Sequence, residues 1–485
     1  MFSVQSHVNQ SQMPQNRQAR RLNFQGHFAT PLKNVHFQPG IEPGLLHIAQ
    51  EVKEIGEQEG FGVGLHCHDS FYHSSQHPHL PTPVKLRESH NYPFPLVREE
   101  NNFFWAQDAN LFHNGEILGA SGQGLSMFED WSSCQGQAYK HRGLGQPKKL
   151  AKHLGKSYRA IPSYLEGGNL FLGKKPNGEQ MLLLGEDSVW MNARRLLKQS
   201  HSGLFKTIQF GLKMVWAELT RKPQKALLKE EARPFYDKAL AQIAQDLKIK
   251  PENIVLLPQP DFHIDLAIRP LHYPYVLVHD PKLSEAMTED YAVSKVGQME
   301  MLQGQNVVNN LLNAEDYAPR HPEEYSPQLY ASSPPVALAA SSFEAETIAA
   351  TKKYATCDEI CQKLEAVGLK PIRIGGAFPY PEIEDKAKEE PNPWLPANFL
   401  NAIVHQRKNS SLEEPELVYI TNDSGLPHLN ALFEAQLKEK APWVKRVEFV
   451  GKPPKANTVS WMSTYLKLSG GIHCLSVEEP ELAAS

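Results

Sequence analysis

The sequence predicts an α/β chain, on three observations. Short apolar runs recur along it, amphipathic helical stretches lie between them, and glycines or prolines mark the handovers. The runs are "MLLLG" (181–185), "IVLLP" (254–258), "YVLVHD" (275–280), "PIRIGG" (371–376), "LVYIT" (417–421) and "RVEFVG" (446–451). They are too short for helices and are bounded by turn-formers, so they read as buried strands. Among the helical stretches, Phe235, Ala239, Ile243 and Leu247 recur every four residues. Phe205, Ile208, Leu212, Val215 and Leu219 likewise share one face. "ETIAATKKYATCDEICQKLEAVG" (346–368) reads as a helix closed by Gly368 and followed at once by a strand.

The 485 residues are enough for one large domain or two to three ordinary ones with a sizeable core. The composition is that of a globular protein, 41% hydrophobic and 21% charged, with a net charge of −4. Lysines and arginines are scattered among acids, which speaks against a nucleic-acid partner. No run of eighteen apolar residues occurs, which speaks against a membrane span. The five cysteines, Cys67, Cys134, Cys357, Cys361 and Cys474, are odd in number and widely spaced. That pattern predicts free thiols in a reducing, cytoplasmic setting rather than a disulfide framework. Residues 1–40 carry no acid and much Gln, Asn and His, and are expected to form a disordered polar tail. Residues 41–485 are expected to form one catalytic domain. Two segments within it read as insertions, a helical one over 195–250 and a proline-rich loop over 315–342. No internal sequence repeat is visible.

The chemistry concentrates in five segments. "SGGIHCLSVEEP" (469–480) places Cys474 behind two glycines, a setting that a packing cysteine does not need and a nucleophile does. The others are "FFWAQDANLF" (103–112), "LEGGNLFLG" (165–173), "DFHIDLAI" (261–268) and "WLPANFLNAIV" (394–404). Asp108, Asp265 and Glu166 suit a cationic substrate, because carboxylates bind a planar guanidinium through paired hydrogen bonds. Bound there, the cation favours the thiolate of Cys474. On a strand, the H-x-D spacing puts His263 and Asp265 on one face.

The ordered set W-x-x-D, E-G-G, H-x-D and a late G-G-x-H-C resembles the pentein superfamily of guanidino-group-modifying enzymes, which includes arginine, agmatine and peptidylarginine deiminases and the amidinotransferases. "GGIHCLS…EEP" and "LPANFLNAIV" are most similar to agmatine deiminases. Gln107 stands where small-substrate deiminases usually have Arg, and Asn169 where arginine deiminase has an acid. The resemblance implies a pentein α/β-propeller with pseudo-fivefold symmetry and a site at its centre. It implies that Cys474 attacks the guanidinium carbon and that His263 is general acid and base, oriented by Glu166. Asp108 and Asp265, with Trp105 and Asn401, bind the substrate. No metal or organic cofactor is demanded. The expected reaction is hydrolysis to a ureido product and ammonia, on a guanidino small molecule or an arginine-bearing peptide or protein. Amidino transfer by the same Cys474 and His263, or a non-catalytic binding role, are the alternatives. The missing Arg at 107 favours a peptide- or amine-bearing guanidine over free arginine.

Weaker candidates remain. "HCHDSFYHSSQHPH" (66–79) holds five histidines and a cysteine but lacks regular zinc-ligand spacing, so a polar loop is expected. Cys357 and Cys361, one helical turn apart, are expected to pack. Asp423 in "ITNDSG" is expected to close an Asx turn.

Overall fold

The computed structural model describes residues 28–37, 43–68, 96–99, 106–120, 146–175, 177–200, 229–260, 263–297, 299–300, 357–378, 397–408, 410, 414–452 and 470–481, with isolated positions 460, 462 and 466. Strand β1 (Leu32–Phe37) leads through helix α1 (Pro43–Glu59) to β2 (Gly62–His68), which lies parallel to it, and β3 (Leu96–Glu99) extends this sheet. A short helix α2 (Ala106–Ala109) precedes the hairpin of β4 (Leu111–His113) and β5 (Glu116–Ala120). Asn114 and Gly115 turn that hairpin with φ of 50° and 77°, the left-handed pair that a tight two-residue connection requires. Helix α3 (Gln146–His153) then brings β6 (Ser157–Ile161) parallel to β5.

The same order recurs. Antiparallel β7 (Leu170–Lys174) and β8 (Gln180–Gly185) are followed by α4 (Glu186–Ser200), α5 (Tyr236–Asp246) and a parallel β9 (Ile254–Leu257). Then β10 (Ile268–Pro270) and β11 (Tyr275–His279) are followed by α6 (Pro281–Val293), α7 (Cys357–Ala366) and a parallel β12 (Lys370–Ile374). After a two-strand ladder of β13 (Ala377–Phe378) and β14 (Ala397–Asn398) come β15 (Ile403–Gln406), β16 (Leu417–Asn422), α8 (Pro427–Lys440) and β17 (Val444–Val450). The last elements are helix α9 (Ile472–Leu475) and strand β18 (Ser476–Pro480), which runs antiparallel to β1 and gives the first sheet its missing partner. Five small, separate sheets thus share one plan: an antiparallel pair, a helical crossover, and a strand parallel to the second.

Packing explains why the apolar runs are continuous rather than alternating. Leu182, Leu183 and Leu184 of β8 are all fully buried, as are Leu417, Val418, Tyr419 and Ile420 of β16. A strand flanked by its neighbours and covered on both faces has no side to offer water. Each of the six predicted runs is a strand. Helix α1 buries Ile48 and Val52 in a cluster with Ile403, Val418 and Ile420, and Ile472, Cys474 and Leu475 of α9 join it. Phe399 and Phe433 stack at 4.5 Å in a neighbouring cluster. Among the described residues no helix is long and apolar enough to cross a membrane.

One sequence-based boundary needs correction. The polar tail was expected to reach residue 40, yet Leu32, Val35 and Phe37 are fully buried in β1. The run Leu-Lys-Asn-Val-His-Phe is short and does not alternate, and its Asn34 and His36 pair with buried Glu479, so composition hid a strand. The described parts of 195–250 form the crossover from β8 to β9. The proline-rich loop 315–342 lies outside the described residues, as does all of the chain before residue 28.

Candidate functional site

The connections that link one sheet to the next carry the predicted residues. Asp108 lies between β3 and β4, Glu166 between β6 and β7, His263 and Asp265 between β9 and β10, Asn401 between β14 and β15, and Cys474 between β17 and β18. Because the sheets share one plan, these connections are equivalent positions of the repeated unit.

Glu166 is extended and enters a 3-10 turn over Gly167–Asn169. Its carboxylate accepts a hydrogen bond from the Tyr164 hydroxyl at 2.7 Å and one from His263 Nε2 at 2.8 Å. Since a carboxylate only accepts, Nε2 of His263 carries the proton. The two glycines are dictated by close approach. A Cβ on Gly167 would stand 2.2 Å from the Gln107 carbonyl oxygen, and one on Gly168 would stand 2.4 Å from His263 Nδ1. Asn169, fully buried, ties this turn to the next segment by accepting from the Ile264 backbone N–H at 3.1 Å.

His263 and Asp265 do not lie on a strand, as the spacing had suggested. His263 is extended, and Ile264–Leu266 form a 3-10 turn closed by the Ala267 N–H on the Ile264 carbonyl at 3.0 Å. The turn brings both side chains into one buried cluster with Cys474: one ligand atom of each lies within 4.8 Å of the others. Asp265 Oδ2 accepts from three donors, His473 Nδ1 at 2.8 Å, Asn401 Nδ2 at 2.9 Å and Cys474 Sγ at 3.2 Å. Its Oδ1 is buried without a hydrogen-bond partner among the described residues.

Three asparagines hold Cys474 in place. Asn398 Oδ1 accepts from the Leu400 and Asn401 N–H groups, and its Nδ2 donates to the Leu266 carbonyl at 2.8 Å, joining this loop to the turn of Asp265. Asn401 Oδ1 accepts from the His473 N–H at 2.9 Å, and its Nδ2 donates to Cys474 Sγ at 3.2 Å. Asn422, at the end of β16, accepts from the Ile472 N–H at 2.8 Å and donates to the Asn401 carbonyl at 3.0 Å. A Cβ on Gly471 would lie 2.6–2.8 Å from the amides of Asn422 and Asn401, so the glycine before α9 permits this grip.

Burial pushes the Asp265 carboxyl up, but the hydrogen bond from His473, the charges of His473 and His263 and the thiol contact outweigh it, and the net shift is downward. Asp265 is therefore an anion, and the thiol of Cys474 donates its proton to it. Cys474 Sγ, a His263 ring nitrogen and an Asp265 oxygen at this spacing could hold a cation, while Oδ2 already accepts from His473, Asn401 and Cys474. A buried anion with one oxygen left over, next to a thiol and a histidine, can bind a cationic N–H donor and present it to sulfur.

Cys474, His263, Glu166, Asp265 and Asn401 are thus brought together. Helix α2, which carries Asp108, packs against both α9 and the Gly167 turn, while the side chain of Asp108 and all of Trp105 lie outside the described residues. Gln107 is buried against Gly167. His473, Phe171 and Asn422 had no assigned role. His473 stood inside the cysteine motif, and its ring stacks on Phe171 at 5.7 Å. Of the weaker candidates, Asp423 Oδ1 accepts from the Gly425 N–H at 2.7 Å, an Asx turn. Cys357 and Cys361 pack in an apolar cluster. Of 66–79, the backbone of His66, Cys67 and His68 lies in β2, and the remainder is outside the described residues.

No family model matches the sequence, and no curated protein does. Among solved structures, C. jejuni agmatine deiminase matches over 95% of this chain and 99% of its own, at 12% identity and a TM-score of 0.43. A likeness of this depth bears on neither activity nor substrate.

Proposed function

We propose that the protein is a deiminase that hydrolyses a guanidino group to a ureido group and ammonia. One observation carries the reading: Cys474, His263 and the Asp265 carboxylate meet within 4.8 Å, and Asp265 keeps one buried oxygen without a hydrogen-bond partner among the described residues. A guanidinium N–H fits that oxygen, and a neutral ligand has no comparable reason to seek it. The five sheets of common plan support a pentein propeller, in which equivalent connections converge on one centre.

In the resting state the thiol proton points to Asp265, and the sulfur accepts from Asn401. A bound guanidinium brings positive charge beside the sulfur and favours the thiolate. The thiol proton passes to the neutral imidazole of His263, and the sulfur attacks the guanidinium carbon, so that a C–S bond forms as one C=N bond opens onto nitrogen. His263 then protonates one nitrogen, whose C–N bond breaks to release ammonia and leave an S-linked thiouronium. His263, now neutral, takes a proton from water as its oxygen attacks the same carbon, and collapse breaks the C–S bond to give the urea and free Cys474. Glu166 holds the imidazole and stabilises its cationic form. Asp108 is proposed as the second carboxylate on the guanidinium, and Trp105 as an aromatic wall beside it.

Arginine, agmatine and an acetylated arginine peptide, offered separately, test the reading by mass of product and ammonia release. A ureido product from at least one is expected. Amidino transfer to an added amine, without ureido product, replaces hydrolysis by transfer; no change in any of the three overturns the enzymatic reading.

A further inference from the structure

The imidazole of His473 is fully buried and belongs to no step written above. Its Nδ1 lies 2.8 Å from Asp265 Oδ2, its backbone N–H reaches Asn401 Oδ1 at 2.9 Å, and its ring stacks on Phe171 at an interplanar angle of 22°. The Arg269 guanidinium sits 5.7 Å from the centroid of the same Phe171 ring and is itself paired with buried Glu478 at 2.7 Å. The orientation of the histidine is therefore fixed by packing on one side and by its own backbone on the other. A carboxylate can rotate about its Cβ–Cγ bond, and two donors on one oxygen, one from each neighbouring loop, remove that freedom.

We propose that His473 is a positioning residue for Asp265: its Nδ1–H locks Oδ2, so that Oδ1 remains the oxygen offered to the guanidinium. The proposal deepens the deiminase reading and rests on it for the identity of the ligand, while the lock itself is a property of the side chains described. Asn401 and the Cys474 thiol are further donors to Oδ2, but Asn401 also holds the sulfur and the thiol is the reacting group, so the Nδ1 contact of His473 is the one to test.

Three variants separate positioning from packing. His473→Asn keeps an N–H near the place of Nδ1 and loses the stacking ring. His473→Phe keeps the ring and loses the donor. His473→Leu matches Asn in size without a donor, and so provides the comparison should Phe not fit. Loss of a hydrogen bond to a charged group is expected to lower kcat/KM about 10- to 100-fold in Phe and Leu, with a raised KM, and Asn is expected to recover most of it. A second readout needs no turnover: alkylation of Cys474 by iodoacetamide at about pH 8, mapped by mass spectrometry. Without the Nδ1–H of His473, Oδ2 leans harder on its remaining donors, Asn401 Nδ2 and the Cys474 thiol, so the thiol keeps its proton and labelling slows about tenfold in Phe and Leu but not in Asn. Phe outperforming Asn in both readouts, or all three matching wild type, overturns the lock. If wild type turns over no guanidine, the deiminase reading fails by itself, and the alkylation comparison still decides His473.

Discussion

Cys474 and Cys357 are hidden from solvent to the same degree, 1% and 2% exposed, yet their surroundings are opposite. Cys474 touches a carboxylate and an asparagine amide and stands within 4.8 Å of a histidine. Cys357 opens helix α7 and packs with Ile360, Cys361 and Leu364, and burial pushes its thiol up to about 12. The two thiols teach that burial alone silences sulfur. On the proposed reading, what sets Cys474 apart is not its burial but the carboxylate, amide and histidine around it.

The largest effect is expected at Cys474, the proposed nucleophile. Cys474→Ser is expected to cost on the order of 10⁴-fold or more in turnover with folding intact. Cys357→Ala is expected to keep turnover and lose about 1–2 kcal/mol of stability, read by urea unfolding. If the Cys357 variant were the inactive one, the two roles would be reversed. Labelling with a haloacetamidine should place the adduct on Cys474, and an adduct on Cys357 or Cys361 would contradict the assignment.

His263→Ala comes next, with a loss of roughly 10²–10⁴-fold in kcat and little change in guanidine binding by calorimetry. Near-normal kcat would remove His263 from proton transfer. Asp265→Asn is expected to weaken both binding and kcat, together about 10- to 100-fold in kcat/KM, because a charge-assisted contact becomes neutral. Gly168→Ala sharpens the point that geometry matters as much as residue type. Its Cβ would meet His263 Nδ1 at 2.4 Å, and displacing the ring by a fraction of an ångström should lower kcat about tenfold or more, whereas unchanged kcat would mean that the loop yields freely.

The smallest effect concerns pH. Cys357 ionises near 9 when unfolded and near 12 when folded, so the folded state holds its proton longer. Stability should fall as pH rises from about 9 towards 12, and Cys357→Ala should flatten that part of the curve. A slope that survives the substitution must come from other groups.

How much of this was legible in the residues differs between fold and site. Continuous apolar runs such as Leu182–Leu184 announced strands because nothing but burial on both faces explains them. The shared plan of the five sheets was not legible. It lies in strand order, and β5 and β16 have no sequence in common. The strand β1 was missed because its burial depends on β18, far away in the chain. In the site, Glu166, His263, Asp265, Asn401 and Cys474 stood out through their neighbours, and the glycines at 167, 168 and 471 were signals of close approach. His473 and Asn422 were unreadable in role, since nothing local says that one will face a carboxylate in another sheet or that the other will clamp two loops. The H-x-D pair was read with the wrong backbone: an Asn169 side chain and a 3-10 turn, rather than a strand, aim the two groups.

The pairing of β1 with β18 has a consequence for how the protein is born. Asn34 and Glu479 are joined by a 2.7 Å hydrogen bond across 445 residues of chain, and Cys474 sits two residues before the strand that makes this pairing. A ribosome delivers residue 34 early and residue 479 late. Until the late segment emerges, the first sheet lacks its outer strand and the carboxylate of Asp265 lacks both the histidine and the sulfur beside it. Contacts of such sequence separation close slowly. Synthesis thus carries its own delay: the turn of Asp265 waits for residues 473 and 474, and on the proposed reading a fragment that stops before residue 474 is expected to lack turnover however its middle packs.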